Sequence, residues 1–118
     1  MSQSSKKYDL EDRTFKFAKK VRAFVKQIGK DLGSIEDCKQ LVRSSGSVGA
    51  NYIEANEALS KKDFLMRIKI CRKEAKESFY WIKLIDVNDE TLESERKLLE
   101  KEADELRHIF GAIVTKCQ

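Results

Sequence analysis

Apolar side chains recur every three or four positions along this 118-residue chain, in four blocks separated by short polar segments. In the first block Leu10, Thr14, Phe17, Val21, Phe24 and Ile28 alternate steps of four and three, the spacing that puts side chains on one face of a helix. Ala18 and Val25 widen that face, and Asp9 fits an N-cap. The segment Gly29-Lys30-Asp31-Leu32-Gly33-Ser34 then carries residues that end one helix and cap the next. A second helix is expected over about 35–57, with Cys38, Leu41, Val42, Ser45, Val48, Gly49, Tyr52 and Ala55 inward. Ser60-Lys61-Lys62-Asp63 has the form of a capping box, Asp63 standing in for the usual Glu. It opens a third helix, over about 61–86, with a seam of Phe64, Ile68, Cys71, Ala75, Ser78, Ile82 and Ile85. After a polar turn at 86–90, a fourth helix over about 92–116 repeats Leu92, Leu99, Leu106 and Ile113 seven apart, interleaved by Ala103, Phe110 and Cys117.

With the first helix placed over about 10–28, this pattern predicts an all-α protein. Heptad spacing with short loops argues for an up-down antiparallel four-helix bundle in a single domain, 1–118. The composition agrees: no proline, and 37% charged residues against 8% aromatic. The apolar arcs exceed what a lone bundle needs. Phe17 and Phe24 run beside Ala18 and Val25 on the first helix, and Leu65, Phe79, Trp81 and Leu84 surround the third seam. The excess predicts a second buried face, most simply a subunit interface.

Within the second helix, Gly46 and Gly49 interrupt an otherwise helical block. Each costs roughly 1 kcal/mol relative to alanine in a helix interior, so the chain needs either a loop there or a close approach of two backbones. Asn51 and Glu54, three apart, share one helical face and are expected to hydrogen-bond an adjacent helix, with Gly46 and Gly49 letting it come close. The alternative is a polar partner site made by Arg43, Asn51 and Glu54.

The formal net charge of +4 conceals segregation by helix. Residues 1–30 carry nine Lys and Arg against three acids, and 61–85 carry eight against three. Residues 31–60 carry two against five, and 86–118 five against nine. On the third helix Lys62, Lys69, Lys73, Lys76 and Lys83 fall on one face with Met66 and Tyr80 between them. Lys16, Lys19, Lys26 and Lys30 form a similar line on the first. A cationic stripe with an interleaved ring suits a phosphate backbone and its bases. The competing expectation is mutual neutralisation by the acidic helices, or by Glu74 and Glu77, which sit among the lysines.

Reactive chemistry is sparse, and an enzyme is not expected. Ser44, Ser45 and Ser47 have no base beside them, and Gly46-Ser47-Val48-Gly49 lacks the lysine and preceding strand of a phosphate loop. His108 is the sole histidine. With Asp104 or Glu105 it makes a surface pair rather than a metal site, and Glu105-x-x-His108 occurs once where a di-iron bundle needs the motif twice. No catalytic, cofactor or metal-binding residue is assigned. Cys38, Cys71 and Cys117 are odd in number and show no metal spacing, which predicts reduced thiols in a cytoplasmic protein. No apolar run reaches the ~20 residues of a membrane span, so no membrane role is expected.

The run Arg43, Ser47-Val48-Gly49-Ala50-Asn51, Glu54 and Ala55, continued by Phe64, Cys71, Ala75 and Glu77, resembles the four helix bundle protein family. Its founding members are encoded by intervening sequences inside bacterial 23S rRNA genes. Many members have proline where this chain has Gly49, so the kink expected there is less firmly implied. The resemblance implies a four-helix bundle assembling into a homopentameric ring with a central channel. It also implies an architecture similar to the accessory variability protein of diversity-generating retroelements, a basic pentamer that binds nucleic acid and a reverse transcriptase. It supplies no catalytic residues and no established family function.

Two readings follow. The first is an oligomeric accessory module that touches RNA or DNA through Lys62, Arg67, Lys69, Arg72, Lys73 and Lys76. The second is a protein-interaction or assembly scaffold in which the apolar faces matter and the lysines keep the assembly soluble.

Overall fold

A computed structural model describes residues 4–118, with side chains from Leu10 onward. It contains four helices: α1 Ser4–Val25, α2 Leu32–Asn56, α3 Lys61–Leu84 and α4 Glu90–Cys117. The connections of four to six residues force successive helices to run antiparallel. Each helix packs on its neighbours in chain order, and α1 closes the bundle against α4. At 1.5 Å per residue the 28-residue α4 spans about 42 Å. That length accounts for the 45 Å long axis of the 45 × 30 × 20 Å molecule.

The starts of α2, α3 and α4 have capping side chains. Asp31 accepts from the Ser34 backbone N–H at 3.0 Å and from its hydroxyl at 2.9 Å. These bonds hold the Asp31 carboxyl below its ordinary pKa. Ser60 accepts from the Asp63 N–H at 3.0 Å, as its sequence predicts. Asp89 accepts from Thr91 and Leu92 at 2.7 and 3.1 Å, so α4 begins at Glu90, two residues before the expected position. The expected cap at Asp9 is corrected: α1 is already helical from Ser4, and the Asp9 side chain lies outside the described residues. At its other end α1 stops at Val25, and Ile28 stays buried in the turn with its N–H on the Val25 carbonyl at 3.2 Å.

The core follows the seams. Phe17, Val21 and Phe24 of α1 meet Leu41, Val48 and Tyr52 of α2, Ile68, Cys71 and Ile82 of α3, and Leu99, Leu106 and Phe110 of α4. Tyr52 and Phe110 tilt together with ring centroids 5.8 Å apart. Burying each large apolar side chain stabilises the fold by roughly 1.5–3 kcal/mol relative to exposure. One polar layer crosses this core. Buried Ser44 and Ser78 share a hydrogen bond of 2.8 Å, and Ser78 donates to the Glu74 carbonyl at 2.9 Å. The Cys71 thiol donates to the Val48 carbonyl at 3.4 Å, and burial pushes its pKa up to about 12. All three cysteines are free.

Helix α2 runs unbroken through both glycines, with no positive φ, so the glycines serve close approach rather than a loop. The two differ. A Cβ on Gly49 would sit 3.0 Å from the Thr14 hydroxyl oxygen and 3.3 Å from its Cβ, where α1 crosses α2. A Cβ on Gly46 would meet only the end of the Arg22 side chain, at 3.3 Å. The approach served is therefore that of α1, whereas Asn51 reaches toward α3.

The expected excess of apolar surface is distributed differently from its sequence outline. Val25, Leu65, Phe79 and Trp81 lie half-buried against the core. The large apolar side chains left exposed include Phe15, Ile53, Leu59, Leu84 and Leu98.

Candidate nucleic-acid interface

Helical geometry separates the charges of α3 more cleanly than the linear sequence does. At 100° per residue, Lys62, Lys69, Lys73, Lys76 and Tyr80 fall within one narrow arc, with Arg72 and Lys83 at its edge. All seven are exposed. Glu74 and Glu77 lie on the flank toward α2, where Arg43 takes both: its guanidinium stands 3.5 Å from Glu74 Oε1 and 3.0 Å from Glu77 Oε1. Glu74 is only 7% exposed, and its Oε1 has this ion pair without a hydrogen bond. The acids expected among the lysines are therefore drawn to α2, although Glu77 borders the arc one turn from Lys73. Lys62, Lys69, Lys73 and Lys76 make no ion pair among the described residues.

Between α3 and α4 the stripe borders a groove of about 670 Å³. Lys69, Arg72, Lys73 and Lys76 line it from α3, and Arg107, His108, Gly111, Ala112 and Thr115 from α4. No carboxylate lines it. Gly111 leaves the floor open, since a Cβ there would come 3.7 Å from the Arg72 Cδ. Asp104 sits one turn below and is engaged by its own helix: 2.8 Å from Arg107 Nε and 3.7 Å from His108 Nδ1. The Phe79 ring gathers two further cations, the Lys83 ammonium at 5.0 Å and the Arg107 guanidinium at 5.3 Å from its centroid.

The six candidate residues thus divide. Lys69, Arg72, Lys73 and Lys76 converge on the groove, and Lys62 extends their line toward the start of α3. Arg67 does not join them. It lies about 200° around the helix from Lys69 and donates to the Asn51 side-chain oxygen at 3.0 Å, tying α3 to α2. Asn51 in turn donates to the Ser47 carbonyl and hydroxyl at 2.9 and 3.0 Å. The Glu54 side chain is exposed and makes no hydrogen bond or ion pair among the described residues. Arg43, Asn51 and Glu54 therefore form no common site.

The opposite flank of α4 has another character. A groove of about 590 Å³ between α1 and α4 is floored by Phe17, Ala23, Phe24, Leu98 and Leu99. Its central charges are paired: Arg13 makes a two-pronged bond to Glu102 at 2.7 and 2.8 Å and a third to Glu105 at 2.7 Å, while Lys20 and Lys101 line the rim. These bonds hold the Arg13 guanidinium above its ordinary pKa, the Glu102 hydrogen bond first among the causes. Glu105 thereby turns from His108, and among the described residues no three His, Cys, Asp or Glu gather as metal ligands. No helix among them is long and apolar enough to cross a membrane.

Fold and surface together define an antiparallel four-helix bundle with a stripe of lysines on α3 unpaired among the described residues. The chain belongs to the 23S rRNA-intervening sequence protein family, whose model matches residues 6–112. It is similar to a crystal structure of a protein of unknown function from the S23 ribosomal protein family of Bacteroides thetaiotaomicron. The two share 28% identity at a TM-score of 0.77, over 93% of this chain and 98% of that one. No curated protein matches the chain.

Proposed function

We propose that this protein is a non-enzymatic, oligomeric accessory module of the cytoplasm that binds nucleic acid through the outward flank of α3. The observation that carries the proposal is the capture of Glu74 and Glu77 by Arg43, with Lys69, Lys73 and Lys76 in no ion pair among the described residues. Cations held about 5 Å apart along a rigid helix, bordering a groove that no carboxylate lines, suit a chain of phosphates. In a homopentameric ring the stripe would recur five times and its fields would add.

Fluorescence anisotropy of labelled structured RNA and duplex DNA, from low to physiological salt, tests this reading. Binding that survives physiological salt supports it. Binding seen only at low salt, or equal to that of any basic protein, refutes it.

A second reading has its own observation. The apolar floor of the α1–α4 groove, in which Leu98 is 70% exposed, favours a protein contact. On that reading the molecule is an assembly scaffold, and its mass in solution and co-purifying proteins are the measurements that matter.

A further inference from the structure

The form of α3 bears on which nucleic acid fits. From Lys62 to Lys83 the stripe runs straight for about 31 Å, at 1.5 Å per residue. Both flanks of α3 are occupied, by Arg43 of α2 on Glu77 and by Arg107 of α4 on Phe79. A helix that enters a major groove meets phosphates on both walls, whereas the α3 cations lie in one narrow arc along its crest. A duplex laid on that crest meets it only where its curved strands cross. A single strand can lie along the whole line.

Tyr80 adds a second, independent feature. It lies on the same line, one turn beyond Lys76, and is 56% exposed. Its ring stands edge-on to Trp81, with centroids 5.0 Å apart and planes at 76°. Trp81 is itself packed against the core, so the tyrosine ring has a fixed support. An exposed aromatic plane set among lysines stacks an unpaired base, whose face is buried when it is paired in a duplex.

We propose that the α3 flank is a single-strand site, with phosphates on Lys69, Arg72, Lys73 and Lys76 and one unstacked base on Tyr80. The inference rests on the nucleic-acid reading above. It selects single strands or loops over duplexes and does not depend on the sugar.

The test measures binding of 12-nucleotide single-stranded RNA and DNA, and of the matching 12-base-pair duplexes, at physiological salt. The proteins are wild type, Tyr80→Leu, Tyr80→Phe and the double variant Lys69→Glu/Lys73→Glu, each checked for an unchanged helical melt. Wild type should prefer single strands by at least about tenfold, and Tyr80→Leu should lose roughly five- to tenfold on them, the low end for one stacked base. Its duplex affinity should change less than twofold, and Tyr80→Phe should match wild type. Trp81 emission should shift as single strands bind and not as duplexes bind. Equal affinity of wild type for both forms, or a Tyr80→Leu variant that binds single strands like wild type, overturns the single-strand site. A Lys69→Glu/Lys73→Glu variant that binds as wild type does, or wild type that binds no form, overturns the nucleic-acid reading itself.

Discussion

The two flanks of α4 are built from one acidic helix and end in opposite electrostatic states. Toward α1, Glu102 and Glu105 meet Arg13, and an apolar floor lies beneath the pair. Toward α3, Asp104 is taken by Arg107 and His108 of its own helix, and the cations across the groove make no ion pair among the described residues. Net charge per helix therefore does not decide where charge is neutralised. The angular position of each acid does, because side chains pair only when helix geometry puts them on facing arcs. On the function proposed above, one flank would take another protein surface and the other phosphate.

The sharpest way to break this contrast is charge reversal on the unmatched flank. Lys69→Glu/Lys73→Glu should weaken nucleic-acid binding roughly a hundredfold at physiological salt, by losing two phosphate contacts and repelling the strand. Both residues are exposed, so circular dichroism melts should stay within about 0.5 kcal/mol of wild type.

Next in size is the seat of α1, which sets the matched flank. Gly49→Ala forces a methyl against Thr14, whereas Gly46→Ala displaces only the tip of Arg22 and gains helix propensity. The Gly49 variant should be the less stable of the two by about 1–3 kcal/mol in urea titrations. Equal stabilities would mean that α1 shifts freely over α2.

Leu98→Asp places a charge beside the apolar floor without touching the core. If that groove is the assembly surface, light scattering should show dissociation at about tenfold higher protein concentration than wild type. An unchanged mass would remove the groove as an interface.

The smallest expected effect is that of Arg13→Met, which leaves Glu102 and Glu105 unpaired on a partly exposed surface. Stability should fall by about 1 kcal/mol, and the loss should shrink in high salt. A loss untouched by salt would point to packing of the arginine stem instead.

Much of this architecture is written in period and punctuation. The seams of Val21, Leu41, Ile68 and Leu106 are fully buried, as their spacing predicts, and Ser60 caps where its box lies. Asp89 is not distinguishable from its acidic neighbours in sequence, because any of several carboxylates in 86–90 fits a cap. The Ser44–Ser78 bond joins residues 34 apart, and a serine on an apolar seam gives no sign of its partner.

The candidate site is half legible. The lysine line can be read from spacing alone. Arg67 shares the charge of this line, but its angle on the helix points it toward α2 and Asn51. Glu74 and Glu77 sit beside the lysines on α3, and their capture by Arg43 across 31 and 34 residues of sequence is not visible in the angular count. The grouping of Gly46 and Gly49 with Asn51 fails for a related reason: the glycines face α1 and the amide faces α3.

The most direct test of the unmatched flank is the salt dependence of single-stranded RNA binding, measured by anisotropy for wild type and for Lys69→Glu/Lys73→Glu. Four to five contacted phosphates predict a log–log slope near −3 for wild type, falling by more than 1 in the variant. Identical slopes for the two proteins would contradict the account, because the phosphates would then be held somewhere other than α3.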